Sequence, residues 1–93
     1  MTSERSPHSV RFGLLAHLCY TLRERQDCTS LLANPRRGEC VLWVPYPAAP
    51  QRRLGVAAVD HHGRWLYAFG DRWSMAEDPG EAAAHVAWAV KGR

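Results

Sequence analysis

The sequence predicts a two-layer α+β domain with an N-terminal helix, an antiparallel β-meander of three to five strands and a C-terminal helix. Apolar residues recur at helical spacing near the start of the chain, short apolar segments separated by turn residues follow, and a strong helix-start signal stands near the end. A chain of 93 residues has the size of one domain. We therefore assign residues 1–93 to a single domain, with 1–7 as a flexible polar tail.

The first predicted helix carries an apolar stripe. Ser6 before Pro7, or Ser9 alone, suits the cap of a helix that runs to about Asp27. The stripe repeats every fourth residue and consists of Val10, Leu14, Leu18 and Leu22, with Leu15 and Cys19 beside it.

Five strand segments are predicted next, and turn residues separate them. They are Cys28–Ala33, Glu39–Tyr46, Arg52–Asp60, Arg64–Phe69 and Arg72–Met75. Residues 34–38 have turn chemistry, and the three prolines between 45 and 50 are expected to end the second strand and form a stiff, extended connection. Asp60-His61-His62-Gly63 predicts a type I turn closed by glycine with a bulge, and Gly70-Asp71 predicts a two-residue hairpin loop.

The last helix has the clearest start signal. Asp78 is the expected N-cap, Pro79 the first helical residue, and Glu81 lies three residues after the cap. Gly92 is a natural stop. The inward side is predicted to hold Ala83, Val86, Ala87 and Val90, with Trp88 pointing elsewhere.

Composition and charge exclude several protein classes. The chain is 46% hydrophobic and 23% charged, which is globular rather than disordered. No run approaches the roughly 18 apolar residues of a membrane helix, and the N-terminus lacks the apolar core of a secretory signal, so we expect a cytoplasmic protein without membrane contact. Eleven of the twelve basic residues are arginine, but the net charge of +3 is modest for a nucleic-acid-binding protein.

The sheet carries more apolar surface than two helices are expected to cover. Side chains alternate across a strand, and these strands are apolar on both faces. We expect the helices to pack on the smaller aliphatic residues Leu42, Val44, Val59, Leu66 and Ala68. The second face would then hold the aromatic residues Trp43, Trp65, Tyr67, Phe69 and Trp73 as an interface or ligand-binding surface.

Three occupants of this aromatic face remain open at the sequence level. The termini or the proline-rich connection fold across it, a second copy pairs with it as a homodimer, or it receives another protein or a small molecule. Single-stranded nucleic acid is a further alternative, because bases stack on exposed aromatic rings while arginine contacts phosphate. Arg64 and Arg72 flank the aromatic strand and are the candidate anion contacts.

Other reactive side chains do not form a recognisable motif in the sequence. His61 and His62 lie at a predicted turn tip, where a solvated turn is favoured over a metal site. The three cysteines lack a CxxC pair and are expected to be reduced thiols. The glycines lack the spacing of a nucleotide-binding loop. We therefore predict no catalytic residue, no metal and no cofactor.

One stretch resembles a known group of proteins. The segment Gly63-Arg64-Trp65-Leu66-Tyr67-Ala68-Phe69-Gly70, followed by Asp78-Pro79-Gly80-Glu81-Ala82-Ala83, resembles small uncharacterised proteins of high-GC Gram-positive bacteria. The resemblance covers the C-terminal third and implies a small accessory or regulatory protein, and it supplies no catalytic residue to carry over. The sequence thus predicts a non-catalytic interaction module. The alternatives are a single-stranded nucleic-acid-binding protein and a small ligand-binding or tailoring enzyme with an aromatic pocket.

Overall fold

The structure, a computed structural model, describes residues 7–34 and 39–92. Its elements are, in order, α1 (Pro7–Gln26), β1 (Leu31–Ala33), β2 (Val41–Tyr46), β3 (Ala49–His61), β4 (Arg64–Phe69), β5 (Arg72–Met75) and α2 (Pro79–Lys91). All five strands form one antiparallel sheet in chain order. The predicted α+β architecture, with one helix before the meander and one after it, is confirmed.

Helix α1 buries the apolar stripe that the sequence predicts. Leu15, Leu18 and Leu22 are fully buried, whereas Phe12 and Tyr20 lie exposed on the outer side. Pro7 is the first helical residue, and the proposed cap Ser6 lies outside the described residues. At the other end Asp27 adopts a positive φ of 51°. The Cys28 amide then donates to the Leu22 carbonyl at 3.1 Å, which satisfies a helix-end acceptor.

The first strand is shorter than predicted, because β1 spans Leu31–Ala33 and does not include Cys28. The proline prediction was also wrong. Pro45 lies inside β2 opposite Arg53, and Pro50 lies inside β3, so that strands β2 and β3 form a hairpin without an extended connection. The pairing register shifts between Pro45 and Tyr46. Such an irregularity tolerates proline, because the ladder there does not require every amide donor.

The turn between β3 and β4 differs from the predicted type I turn with a bulge. His61 pairs with Arg64, so the loop has only the two residues His62 and Gly63. Their φ angles of 54° and 84° are both positive, as a type I′ turn requires. Asp60 Oδ1 accepts the Gly63 amide at 3.0 Å and stabilises the turn. In the next hairpin Phe69 pairs with Arg72, which confirms the two-residue loop at Gly70-Asp71.

Helix α2 has the ends that the sequence predicts. Asp78 is the N-cap, and its Oδ1 accepts the Glu81 amide at 3.1 Å. Pro79 begins the helix, where the missing amide hydrogen costs no hydrogen bond. Gly92 ends it in the left-handed conformation, with φ 75°, and donates to the Trp88 carbonyl at 2.9 Å. Neither helix of the described part is long and apolar enough to cross a membrane.

We expect Asp78→Ala to lower the free energy of unfolding by about 1 kcal/mol, because the Glu81 amide loses its acceptor. Urea denaturation followed by circular dichroism measures the change. Asp78→Ser is the control, because a serine hydroxyl also caps a helix and should retain most of the stability. Equal losses in both variants would contradict the capping role.

Candidate functional site: the open face of the sheet

Strand register divides the sheet into two faces. Leu42, Val56 and Phe69 are successive partners across β2, β3 and β4, so they share one face. Ala58 and Tyr67 are partners on that same face. All five of these residues belong to the buried core with both helices. The helices therefore cover this face, which we call the helix face.

The predicted position of three aromatic residues was wrong. Tyr67 is fully buried and Phe69 is 3% exposed, both in the core beneath the helices. Trp65 lies on the same face, partly buried against the core, with the Arg11 guanidinium of α1 5.6 Å from its ring centroid. These residues are not available to a partner in the way that the sequence interpretation required.

The aromatic residues share the core with the small side chains of α2. The buried side of α2 is made of small residues: Ala82, Ala83, Val86, Ala87 and Val90. Small helix residues need large side chains around them if the interior is to reach its usual packing density. Tyr67 and Phe69 belong to the same core cluster and supply large side chains to it. The Tyr67 hydroxyl donates to the Leu14 carbonyl of α1 at 2.7 Å. Burial raises the pKa of Tyr67 to about 12.

The opposite side of the sheet, which we call the open face, is apolar and lies away from both helices. Three of the residues on which the helices were expected to pack, Val59, Leu66 and Ala68, lie here rather than on the helix face. The apolar members of the open face are Leu31, Ala33, Val41, Trp43, Pro45, Gly55, Ala57, Val59, Leu66, Ala68, Trp73 and Met75, and it also carries Arg53, His61 and Arg64. Leu31 is 62% exposed, Trp73 61% and Val59 39%. Leu42 and Val44, by contrast, lie on the helix face as predicted.

Trp43 is held flat on the open face by its own chain. A Cβ atom at Gly55 would lie 3.1 Å from Trp43 Cζ3, so a larger residue at that position would push the indole ring from its place. The Arg53 guanidinium carbon lies 5.2 Å from the ring centroid, within cation–π distance. Trp43 is only partly exposed as a result.

Trp73 differs from the other tryptophans. Arginine side chains stack on Trp43, Trp65 and Trp88. Within residues 7–34 and 39–92, Trp73 is the one tryptophan that carries no stacked arginine. It stands on β5, directly opposite Ala68 of β4, and exposes 61% of its surface. The open face thus presents one free indole ring beside small side chains.

The two candidate anion contacts already have partners within the chain. Arg64 Nη2 lies 3.4 Å from Glu77 Oε1 in an exposed ion pair. The Arg72 guanidinium carbon lies 5.0 Å from the ring centroid of Trp88. They lie on different faces, because Arg72 is opposite Phe69 and Arg64 is opposite His61. The structure does not bring them together into one anion site.

The histidine pair occupies the β3–β4 turn. The rings of His61 and His62 meet edge to face, with centroids 4.4 Å apart. In the described part of the chain no three histidine, cysteine or acidic side chains are placed to hold a metal ion. A turn is thus the role that the local geometry supports.

A serine–histidine pair is the chemistry that sequence reasoning missed. Ser74 Oγ and His85 Nδ1 are 2.8 Å apart, and His85 Nε2 lies 3.9 Å from Glu81 Oε2. Ser74 is only 5% exposed. His85 borders an open cleft of about 330 Å³ that Ser74 does not line; its other lining residues are Phe69, Asp71, Arg72 and Trp73. A substrate in this cleft would not reach the hydroxyl, so we interpret the hydrogen bond as fastening α2 to β5.

The cysteines are free thiols with local partners. Cys40 is buried, and its Sγ lies 3.0 Å from Asn34 Oδ1 and 4.0 Å from His8 Nε2. The asparagine contacts the thiol and not the histidine, so the three do not form a relay for nucleophilic catalysis. Burial raises the pKa of Cys28; nearby Lys91 opposes that shift, and Asp27 adds to it. A raised pKa disfavours the nucleophilic thiolate.

Comparisons with protein-family models, with curated proteins and with solved structures each found no match. The open face is therefore the feature from which a function can be proposed.

Proposed function

We propose that this protein is a non-catalytic interaction module whose open face pairs with the open face of a second copy. The observation that carries the proposal is the apolar surface on the side of the sheet away from the helices, where Leu31 and Trp73 each expose more than half of their area. Contiguous apolar patches of this kind usually mark an interface. The accessory or regulatory role implied by the sequence resemblance is compatible with such a module.

The size of the open face supports a weak dimer. Five strands about 4.8 Å apart, which average about six residues at about 3.3 Å per residue, give a flat area of roughly 400 Å². Two copies would bury roughly 800 Å² of flat area, and more once side-chain relief is included, which approaches the lower end of specific interfaces at about 1,200 Å². We therefore expect an equilibrium between monomer and dimer that depends on concentration.

Charge favours a second copy as the occupant. A two-fold dimer places each surface against itself, so a surface of one charge sign would repel its partner. The middle of the open face, formed by Ala57, Leu66 and Ala68, has no charged side chain. At the rim, Arg53 is stacked on Trp43 and Arg64 is paired with Glu77. The face can pair with itself without bringing like charges together at its centre.

The same contacts disfavour single-stranded nucleic acid as the occupant. Binding of this type uses several aromatic rings on which successive bases stack, together with free cations along the backbone. Here Trp43 packs against Gly55 and beneath Arg53, which leaves Trp73 as the free ring of the open face. The candidate cations Arg64 and Arg72 are engaged within the chain.

Sedimentation velocity over a range of concentrations tests the proposal. We expect the wild-type protein to shift from monomer to dimer in the micromolar range. Leu66→Asp should raise the dimer Kd by about 100-fold or more, because each copy would bury an unpaired carboxylate in the interface. The matched control is Tyr20→Asp, which places the same charge at a 57% exposed apolar residue outside the open face. It should dimerise like the wild type.

Two results would overturn the proposal. One is a wild-type protein that remains strictly monomeric at several hundred micromolar. The other is equal weakening by Leu66→Asp and Tyr20→Asp. Quenching of tryptophan fluorescence by a single-stranded oligonucleotide, lost on addition of salt, would instead assign the open face to nucleic acid.

A further inference from the structure

We infer that each Trp73 of the dimer packs over Ala57 and Ala68 of the second copy. This inference rests on the proposed dimer and specifies its central contact. Three features of the open face support it: small side chains at its centre, Trp43 held in place, and, within the described residues, Trp73 without a stacked arginine.

One region at the centre of the open face is low because its side chains are small, and the larger Val59 and Leu66 stand next to it. Gly55 and Ala57 follow one another along the open side of β3, and Ala68 lies beside Ala57 on β4. Packed sheets stand about 10 Å apart, a spacing that larger side chains normally fill. Alanines facing alanines across that distance would leave a void, and a void forfeits the contacts of every atom that lines it. A large side chain of the partner must occupy the centre if the two faces are to pack.

Trp73 is the large side chain that is free to do so. It is 61% exposed and has no arginine on its ring, whereas Trp43 is fixed by Gly55 and Arg53. Leu31 is equally exposed, but it lies on the other edge strand, β1, beside Trp43. Trp73 borders the low centre directly, because its cross-strand partner is Ala68.

Two-fold symmetry makes the contact reciprocal. If Trp73 of one copy covers the partner's Ala57 and Ala68, the partner's Trp73 covers the same residues of the first copy. Each ring then fills one half of the space between the sheets. Tryptophan is also enriched among interface hot spots, which lie in well-packed, desolvated pockets.

A double-mutant cycle in the full-length chain tests the contact. Trp73→Ala removes the ring and Ala68→Leu fills its site, and each should raise the dimer Kd by about 30-fold or more. Because the two changes act on one contact, Ala68→Leu should cost little further affinity in the Trp73→Ala background. The control is Trp88→Ala, which removes a 51% exposed tryptophan on α2, away from the open face, and should leave the dimer Kd unchanged.

The outcomes separate this inference from the dimer itself. A wild-type dimer whose Kd is unaffected by Trp73→Ala, or for which the two substitutions are fully additive, overturns the Trp73 contact and leaves the dimer intact. A wild-type protein that never dimerises overturns both. Far-UV circular dichroism and thermal melting of each variant show whether the fold is retained, and Trp73→Phe serves as a milder second variant if Trp73→Ala unfolds.

Discussion

Tyr67→Ala is expected to lower the free energy of unfolding by about 3–5 kcal/mol, the range found for large aromatic residues in protein cores. Tyr67 is the largest fully buried side chain of the described residues and lies between the sheet and α1. Its removal would leave a cavity that the surrounding strands and helices can only partly close. A domain of this size has about 5–14 kcal/mol of stability in total, so the loss should be visible as a large fall in the midpoint of urea denaturation.

The same variant tests the assignment of faces. If Tyr67 lay on an exposed face, as the sequence interpretation held, Tyr67→Ala would weaken association and leave the stability of the monomer nearly unchanged. Tyr67→Phe separates volume from hydrogen bonding, because it keeps the ring and removes only the donor to the Leu14 carbonyl. It should cost about 1 kcal/mol. A loss below about 1 kcal/mol for Tyr67→Ala would show that the ring is not in the core.

The error over Tyr67 has a definite origin in the sequence. Alternation divides each strand into two sets of residues, and all of those divisions were correct. Alternation within one strand does not show which of its two sets of residues shares a face of the sheet with a given set on the neighbouring strand. A shift of one residue between strands moves every side chain of one strand to the other face. The sequence interpretation joined the sets by size and put the aliphatic residues beneath the helices.

The β3–β4 turn shows how small the decisive difference is. A three-residue loop with Gly63 as its bulge residue would pair Asp60 with Arg64. The actual loop has two residues and pairs His61 with Arg64. This difference of one residue in register determines whether Ala58 pairs with Leu66 or with Tyr67. A histidine at positive φ is uncommon, so the residue types favoured the wrong turn.

Elements that depend on local chemistry were predictable. The caps of α2 follow from Asp78, Pro79 and Gly92, each of which acts on its own or a neighbouring backbone group. The existence of excess apolar sheet surface was also predictable, and Trp43 and Trp73 were placed correctly on the outer face. The contact between Ser74 and His85 was not predictable, because it depends on how α2 packs beside β5. No local spacing of residues in the sequence encodes that arrangement.

The stability of the protein is expected to fall by about 2 kcal/mol between pH 10 and pH 12 through Tyr67 alone. Burial raises its pKa from the ordinary value of 10.0 to about 12 in the folded chain. The unfolded chain therefore releases the phenolic proton first, and each pH unit in this window favours unfolding by up to about 1.4 kcal/mol. Below about pH 9 both states keep the proton, and the full stabilisation is present.

The comparison with Tyr67→Phe isolates this effect, because every other titrating group is common to both proteins. Near pH 8 the wild type should be the more stable by about 1 kcal/mol, since it has the hydrogen bond to Leu14. Near pH 12 the order should reverse, with Tyr67→Phe the more stable by about 1 kcal/mol, because phenylalanine has no proton to lose. Urea denaturation at a series of pH values measures the crossing. A constant difference between the two proteins from pH 8 to pH 12 would mean that water reaches the Tyr67 hydroxyl in the folded state, contrary to its complete burial.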